Sequence, residues 1–208
     1  NVRILTWKKE FNYSAINNFA VREARGEYLL FLNNDVEIIT ENWLEEMLQL
    51  CQQKDVGMVG AKLYYPDDTI QHAGVVVGLG GVAAHVLCKL PRDAEGYMGR
   101  LRCVQEISAV TAACMMVKTS VFKAVGGFDE ELKVAFNDID LCMKVRKYGV
   151  KIVFTPYAEL YHYESKSRGM EDTPEKQLRF SREVNCFRIK WERELLKGES
   201  LDGERNRQ

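Results

Sequence analysis

The sequence predicts an α/β fold: a mainly parallel central sheet flanked by helices, in one domain over residues 1–208. Three observations predict it. Tyr28-Leu29-Leu30-Phe31-Leu32 is a continuous apolar run, the pattern of a strand buried on both faces of a parallel sheet. Segments with apolar residues at helical spacing stand between such runs. The 208 residues, 46% of them hydrophobic, suffice for one sizeable core.

Taken in order, Val2–Leu5 reads as a short strand. Phe11-Asn12-Tyr13-Ser14 leads into a helix over about 15–24, with Ile16, Phe19, Ala20 and Ala24 on one face. The apolar run 28–32 ends in Asn33-Asn34-Asp35, and ligands in open α/β sheets bind beyond such strand ends. A second helix spans about 42–52, with Trp43, Leu44, Met47, Leu48 and Cys51 inward. Val56–Leu63 is a strand. Residues 65–105 are broken by glycines and by Pro66 and Pro91, and read as loops and short strands over one end of the sheet. Val110–Lys118 reads as a central strand, followed by a short helix capped by Thr119-Ser120 and ended by Gly126-Gly127. A helix from Asn137 to Tyr148 follows, and then a strand over 150–154 that Pro156 terminates. The last helix covers about 173–196, with Thr173 as N-cap and Pro174 at its first position. The tail 197–208 is polar.

Composition excludes some classes. Lys and Arg total 29 against 30 Asp and Glu, a formal charge of -1, which argues against a dedicated nucleic-acid binder. The six cysteines form no CxxC pair and several lie in apolar runs, so buried thiols in a reduced, cytoplasmic protein are expected. No apolar run is long enough to cross a bilayer, and the start shows no signal-peptide pattern.

The helix over 137–148 carries the most chemistry. Asn137 is a good N-cap, and Asp138 and Asp140 sit where the helix dipole favours carboxylates. Asp138 lies three, four and seven residues before Leu141, Cys142 and Val145, on the inward face. Asp140 points the other way, one turn from Lys144, as for a surface ion pair. A plain acidic first turn on a surface helix explains the same residues equally well.

Four pieces in fixed order narrow the choice: Gly126-Gly127-Phe128-Asp129-Glu130, then 137–149 (NDIDLCMKVRKYG), then a strand, then His162 followed by Ser165, Ser167 and Arg168. Together they resemble the C-terminal half of inverting family 2 glycosyltransferases. These are GT-A enzymes that use nucleotide-sugar donors, and the likeness is to the bacterial branch, including rhamnosyltransferase-like enzymes, that extends surface polysaccharides. The resemblance implies a partial GT-A fold and assigns roles by position. Asp138 matches the catalytic base, with Asp140 and Asn137 supporting it. Asn33-Asn34-Asp35 matches the DxD-type motif, with Asp35 as ligand to Mg²⁺ or Mn²⁺ and Asn33 in place of the first aspartate. His162 falls at a second metal or diphosphate contact, and Ser165, Lys166 and Arg168 at a diphosphate clamp. Gln71 and His72 fall on the acceptor side. From the residues alone, Asn-Asn-Asp is also ordinary turn chemistry and Lys166 also suits a solvated loop.

The family's opening strand-helix-strand segment, which holds the nucleoside, has no counterpart here. The chain is therefore expected to be a piece of a larger enzyme, with weak donor binding and little turnover alone, and with a sheet edge that favours a homodimer. The expected partners are a nucleotide-sugar and a glycan or lipid-linked acceptor, with peripheral membrane contact at the inner face. Two rivals stand: a non-catalytic binding or scaffolding module of a polysaccharide assembly protein, and a metal-dependent phosphohydrolase. The lack of a DxDxT pattern after Leu32 speaks against the second.

Overall fold

The structure is a computed structural model and describes residues 2–164 and 173–197. In chain order the elements are α1 (Tyr13–Glu23), β1 (Tyr28–Leu32), β2 (Val36–Ile38), α2 (Trp43–Cys51), β3 (Val56–Tyr64), β4 (Ile70–His72), β5 (Val75–Val77), β6 (Ala83–His85), β7 (Gln105–Glu106), β8 (Cys114–Lys118), α3 (Thr119–Ala124), α4 (Asn137–Tyr148), β9 (Lys151–His162), α5 (Pro174–Lys190) and α6 (Glu192–Lys197). The segment over 2–5 is not a strand.

The main sheet runs β1-β8-β3-β9-β2, with β4 beside β3 and β7 beside β9. Its α/β character with flanking helices is as expected; its strand directions are not. Among the described strands only β3 and β9 pair in parallel, and β1 with β8, β3 with β8 and β2 with β9 are antiparallel. The apolar runs that suggested a parallel sheet report burial on both faces, and helices on both faces bury a strand whatever its direction.

One face packs α3, α4 and α5 against Phe31, Met58, Met115 and Ile152. The other packs Trp43, Met47 and Cys51 of α2 against Val59, Ala61, Leu63 and Leu160. A smaller cluster of Tyr64, Ile70, Leu101 and Phe154 lies under the glycine-rich segment.

Pro156 does not end β9. Gly60 pairs with Phe154 and Lys62 with Glu159, so residues 155–158 form a bulge opposite Ala61. A bulge is where a strand tolerates a residue with no N–H to give the ladder. The strand expected over 110–118 begins only at Cys114; Val110 instead approaches Gly60 of β3 closely. A Cβ on Gly60 would lie 2.3 Å from a Val110 methyl, so only glycine admits this contact. The last helix is interrupted at Trp191, whose backbone leaves the helical region at ψ 20°, and α6 follows. Thr173 caps α5 as expected, accepting from the Lys176 N–H at 3.3 Å. Residues 198–208 of the polar tail lie outside the described residues.

Candidate active site

Five of the predicted residues, from three distant stretches of the sequence, meet at one cavity of about 400 Å³. Asn33 and Asp35 enter from the turn between β1 and β2, Asn137 and Asp138 from the start of α4, and His162 from the end of β9; Tyr13, Ala112 and Glu164 are among the other lining residues.

Asp138 stands at the first turn of α4. The N-cap is Phe136, not Asn137, and Phe136 takes the left-handed conformation, φ 60°. A bulky residue is costly there, and its surroundings hold it. Glu183 of α5, 3% exposed, accepts from the N–H groups of Val134 (3.2 Å) and Ala135 (2.8 Å). The Phe136 ring lies against Phe180 and Phe187. Asn137 is buried and donates to the Val134 carbonyl (2.9 Å), so it shapes the loop rather than capping the helix. Asp138 Oδ2 accepts from the Ala112 N–H at 3.2 Å and Oδ1 from the Ile139 N–H at 2.8 Å. The carboxylate is therefore held by two backbone donors while it faces the cavity.

His162 is fixed from behind. Its Nδ1 lies 2.7 Å from Gln71 Oε1, and Gln71 Nε2 donates to the His162 carbonyl at 3.2 Å. An amide oxygen can only accept, so Nδ1 carries a proton, and it is Nε2 that is turned to the cavity. Nε2 lies 3.3 Å from Asp35 Oδ1 and 3.1 Å from Asn33 Nδ2. Gln71 is thus not on the acceptor side of the cavity; it is the bolt behind a cavity residue. The reason is tertiary: β4 pairs with β3, and β3 with β9, which brings residue 71 to residue 162.

His72 is also placed differently from expectation. It is 1% exposed and does not line the cavity. Its Nε2 accepts from the Thr111 N–H (3.4 Å), so its proton sits on Nδ1 and faces Nδ1 of His85 at 3.0 Å. It supports the 111–113 turn whose Ala112 N–H meets Asp138. Burial, then the nearby His85 and His162, holds its pKa well below the ordinary histidine value. In the unfolded chain it takes up a proton near pH 6.5 and in the fold it does not. Its contribution is present above that value and is lost as pH falls. Stability should drop by up to about 1.4 kcal/mol per pH unit below roughly pH 6.5 from this residue. Urea midpoints at several pH values should show this slope in the native chain and a shallower one in His72→Gln; equal slopes would rule the account out.

Asp140 departs most from the sequence expectation. It pairs with Lys144 at 3.2 Å, but not on the surface: Asp140 is 0% exposed. Its Oδ1 accepts from Trp191 Nε1 (2.8 Å) and meets Lys190 Nζ (2.8 Å). Lys190 also reaches Asp129, and Lys144 the Gly127 carbonyl. The polar side of α4 is buried because the end of α5 packs over it. The two lysines respond differently. Burial outweighs attraction by Asp140 at Lys144 and lowers its pKa. At Lys190 burial is outweighed by its bonds to Asp129 and Asp140, and its pKa is raised.

Ser165, Lys166 and Arg168 lie outside the described residues. Tyr13, Glu164 and Glu183 were missed in the sequence. Tyr13 and Glu164 line the cavity, and Tyr13 donates to the Ala112 carbonyl at 3.2 Å. A signal for Glu183 was present: it lies three residues after Phe180 and four before Phe187, a carboxylate on an apolar helix face.

Comparison with known proteins decides the family. The model of the "Glycosyltransferase like family" matches residues 1–183. The chain belongs to this glycosyltransferase family. It is 58% identical over 191 residues to protein y4gI of Sinorhizobium fredii, covering 91% of this chain and 21% of that protein. It is 42% identical over 172 residues to the O-antigen biosynthesis protein RfbC of Myxococcus xanthus, covering 82% of this chain and 14% of RfbC. The chain thus spans about a fifth or less of the length of these relatives. The fold matches that of GalNAc-T7, crystallised with UDP, GalNAc and Mn²⁺, with a TM-score of 0.61 at 13% identity, over 86% of this chain and 35% of the other. The expected GT-A architecture is therefore present.

The residues of this glycosyltransferase domain suit a divalent cation shared with a ligand. Among the described residues no three His, Cys, Asp or Glu side chains are grouped to hold a metal by themselves. Asp35 and the Nε2 of His162 instead offer two ligands side by side. Cations such as Mg²⁺ are commonly bound by one or two protein ligands plus substrate phosphates, and imidazole is acceptable to Mn²⁺. The Gln71 bond to Nδ1 is the outer support that metal-binding histidines usually have.

Proposed function

We propose that this domain transfers a sugar, with inversion, from a nucleoside-diphosphate donor to a hydroxyl of a glycan or lipid-linked acceptor, in the assembly of a cell-surface polysaccharide. The observation that supports this reading is the convergence of Asp35, Asp138 and His162 on one cavity. Inverting transfer is one displacement. The acceptor oxygen bonds to the anomeric carbon as the carbon–oxygen bond to the diphosphate breaks. Asp138 takes the proton of the acceptor hydroxyl, and no covalent nucleophile is needed. The Ala112 and Ile139 N–H groups hold Asp138 in position for this. Asp35 and His162, with Asn33 beside them, would hold Mg²⁺ or Mn²⁺, which when bound neutralises charge on the diphosphate leaving group. Among the described residues no helix is long and apolar enough to cross a membrane. We propose peripheral contact with the membrane that carries a lipid-linked acceptor. We place the reaction in the cytoplasm, at the inner face of the membrane. The outer edge of β1, which has only β8 as its partner among the described strands, is where a second copy would pair.

The test is calorimetric titration with Mn²⁺ and with UDP, GDP and dTDP, in the native chain and in Gln71→Leu. Nucleotide binding is expected to depend on Mn²⁺. Loss of the bolt behind His162 should weaken the Mn²⁺-dependent part by roughly 10–100-fold. Binding that ignores both Mn²⁺ and the substitution would remove the basis for the assigned ligands.

A further inference from the structure

A second hollow of about 780 Å³ opens where the β9 bulge passes the start of α2, and none of its lining residues is shared with the first cavity. Lys62, from the middle of β3, lines it and is only 5% exposed. No hydrogen-bond or ion-pair partner meets its ammonium group among the described residues; the Tyr64 ring lies 5.3 Å from Nζ. Glu159 is its register neighbour on β9, but that carboxylate is already engaged by the Tyr64 hydroxyl and by Arg92 at 3.5 Å. The Lys62 side chain is largely buried and its ammonium opens on the hollow, so its three donors are left to water or to a ligand. Such a group facing a cavity marks a place that a ligand completes.

The rest of the wall narrows the ligand. Arg92 sits over the Tyr64 and Tyr161 rings at 4.9 and 5.9 Å. Arg102 also lines the hollow, beside Tyr157, a residue 53% exposed whose hydroxyl donates to the Arg102 carbonyl at 3.0 Å. The wall holds three cations, Lys62, Arg92 and Arg102, three carboxylates, Glu46, Asp93 and Glu159, and an open tyrosine. Arg92 and Arg102 are already paired with carboxylates, so Lys62 is the cation left for an oxyanion, and the carboxylates can accept from the hydroxyls of a polyhydroxylated ring. We propose that this hollow is a second ligand site, for a sugar bearing a carboxylate or a phosphate, with Lys62 meeting the oxyanion. The choice of a sugar rests on the glycosyltransferase reading; the demand for an oxyanion rests on Lys62 alone.

The experiment is NMR and calorimetric titration of the native chain, without metal or nucleotide, using glucuronic acid, glucose 1-phosphate, glucose and inorganic phosphate. At least one charged sugar should bind at least about tenfold more tightly than glucose, since every 1.4 kcal/mol is a factor of ten. Its shifts should centre on Lys62, Arg92, Arg102 and Tyr157. Whichever charged sugar binds identifies the oxyanion as carboxylate or phosphate. Lys62→Met should abolish this binding and raise the melting temperature, because an unpaired buried charge is gone. The same variant should bind UDP with Mn²⁺ as the native chain does, which separates this outcome from failure of the transferase reading. Binding no tighter than to glucose, inorganic phosphate binding as well as either sugar, shifts centred elsewhere, or unchanged binding in Lys62→Met would each overturn the proposal. The native-chain titrations decide the matter even if the variant does not fold.

Discussion

Asp138→Asn should lower transfer by roughly 10²–10⁴-fold, the usual contribution of a positioned general base. The measurement is the turnover rate with a nucleotide-sugar donor and a hydroxyl acceptor, in the longest native form of the protein. An asparagine can still accept from the Ala112 N–H through its side-chain oxygen, but its amide nitrogen cannot accept from the Ile139 N–H, so one of the two backbone bonds at residue 138 is lost, at about 1 kcal/mol. Melting temperature should therefore fall by only a little and donor affinity stay close to native, while the rate falls by far more. That combination distinguishes a lost proton acceptor from a disturbed fold. A native rate in this variant would favour the non-catalytic module, in which residue 138 only ends a helix neatly.

Asp140→Ala should have the opposite profile, with stability lost first. The carboxylate is fully buried and meets Trp191, Lys190 and Lys144. Removing one partner of a buried ionic network leaves uncompensated charge and costs about 3–5 kcal/mol. Typical domains have about 5–15 kcal/mol in total, so the unfolding midpoint in urea should move by a large fraction of its value. Lys190 keeps Asp129, which limits its share of the penalty; Lys144 keeps only its bond to the Gly127 carbonyl. Because α5 also supports the approach to α4 through Glu183, the variant should lose activity only as it loses structure. A change below about 0.5 kcal/mol, the range of ordinary surface substitutions, would mean that the pairing with α5 is not what holds α4.

These neighbouring carboxylates show how far the sequence could be read. Helical spacing in 137–148 placed Asp138 on the inward face and Asp140 on the other, and the structure agrees about the faces. It disagrees about what the other face meets. A pattern along one helix reports the direction in which each side chain points, but not whether a later segment covers that direction. Here the end of α5 covers it, and its contacts with Asp140 come from residues 190 and 191. Gln71 was misplaced for a related reason. Nothing near it in sequence signals that it faces His162, since that contact depends on the pairing of β4, β3 and β9.

The chain by itself determined the bounds of most helices to within a few residues, the buried strands at 28–32 and 56–64, which strand end and which helix mouth carry carboxylates, and the family to which it belongs; it did not give the full length of β9 or the absence of a strand over 2–5. These are written in local terms: apolar period, caps, and short motifs in a fixed order. Only the tertiary structure decided the direction of the strands, the burial of Asp140, the bolt behind His162 and the placing of Lys62, without a protein partner among the described residues, at the second hollow. Each depends on which distant backbone lies alongside, and burial and hydrogen-bond partners are properties of that arrangement rather than of any one segment.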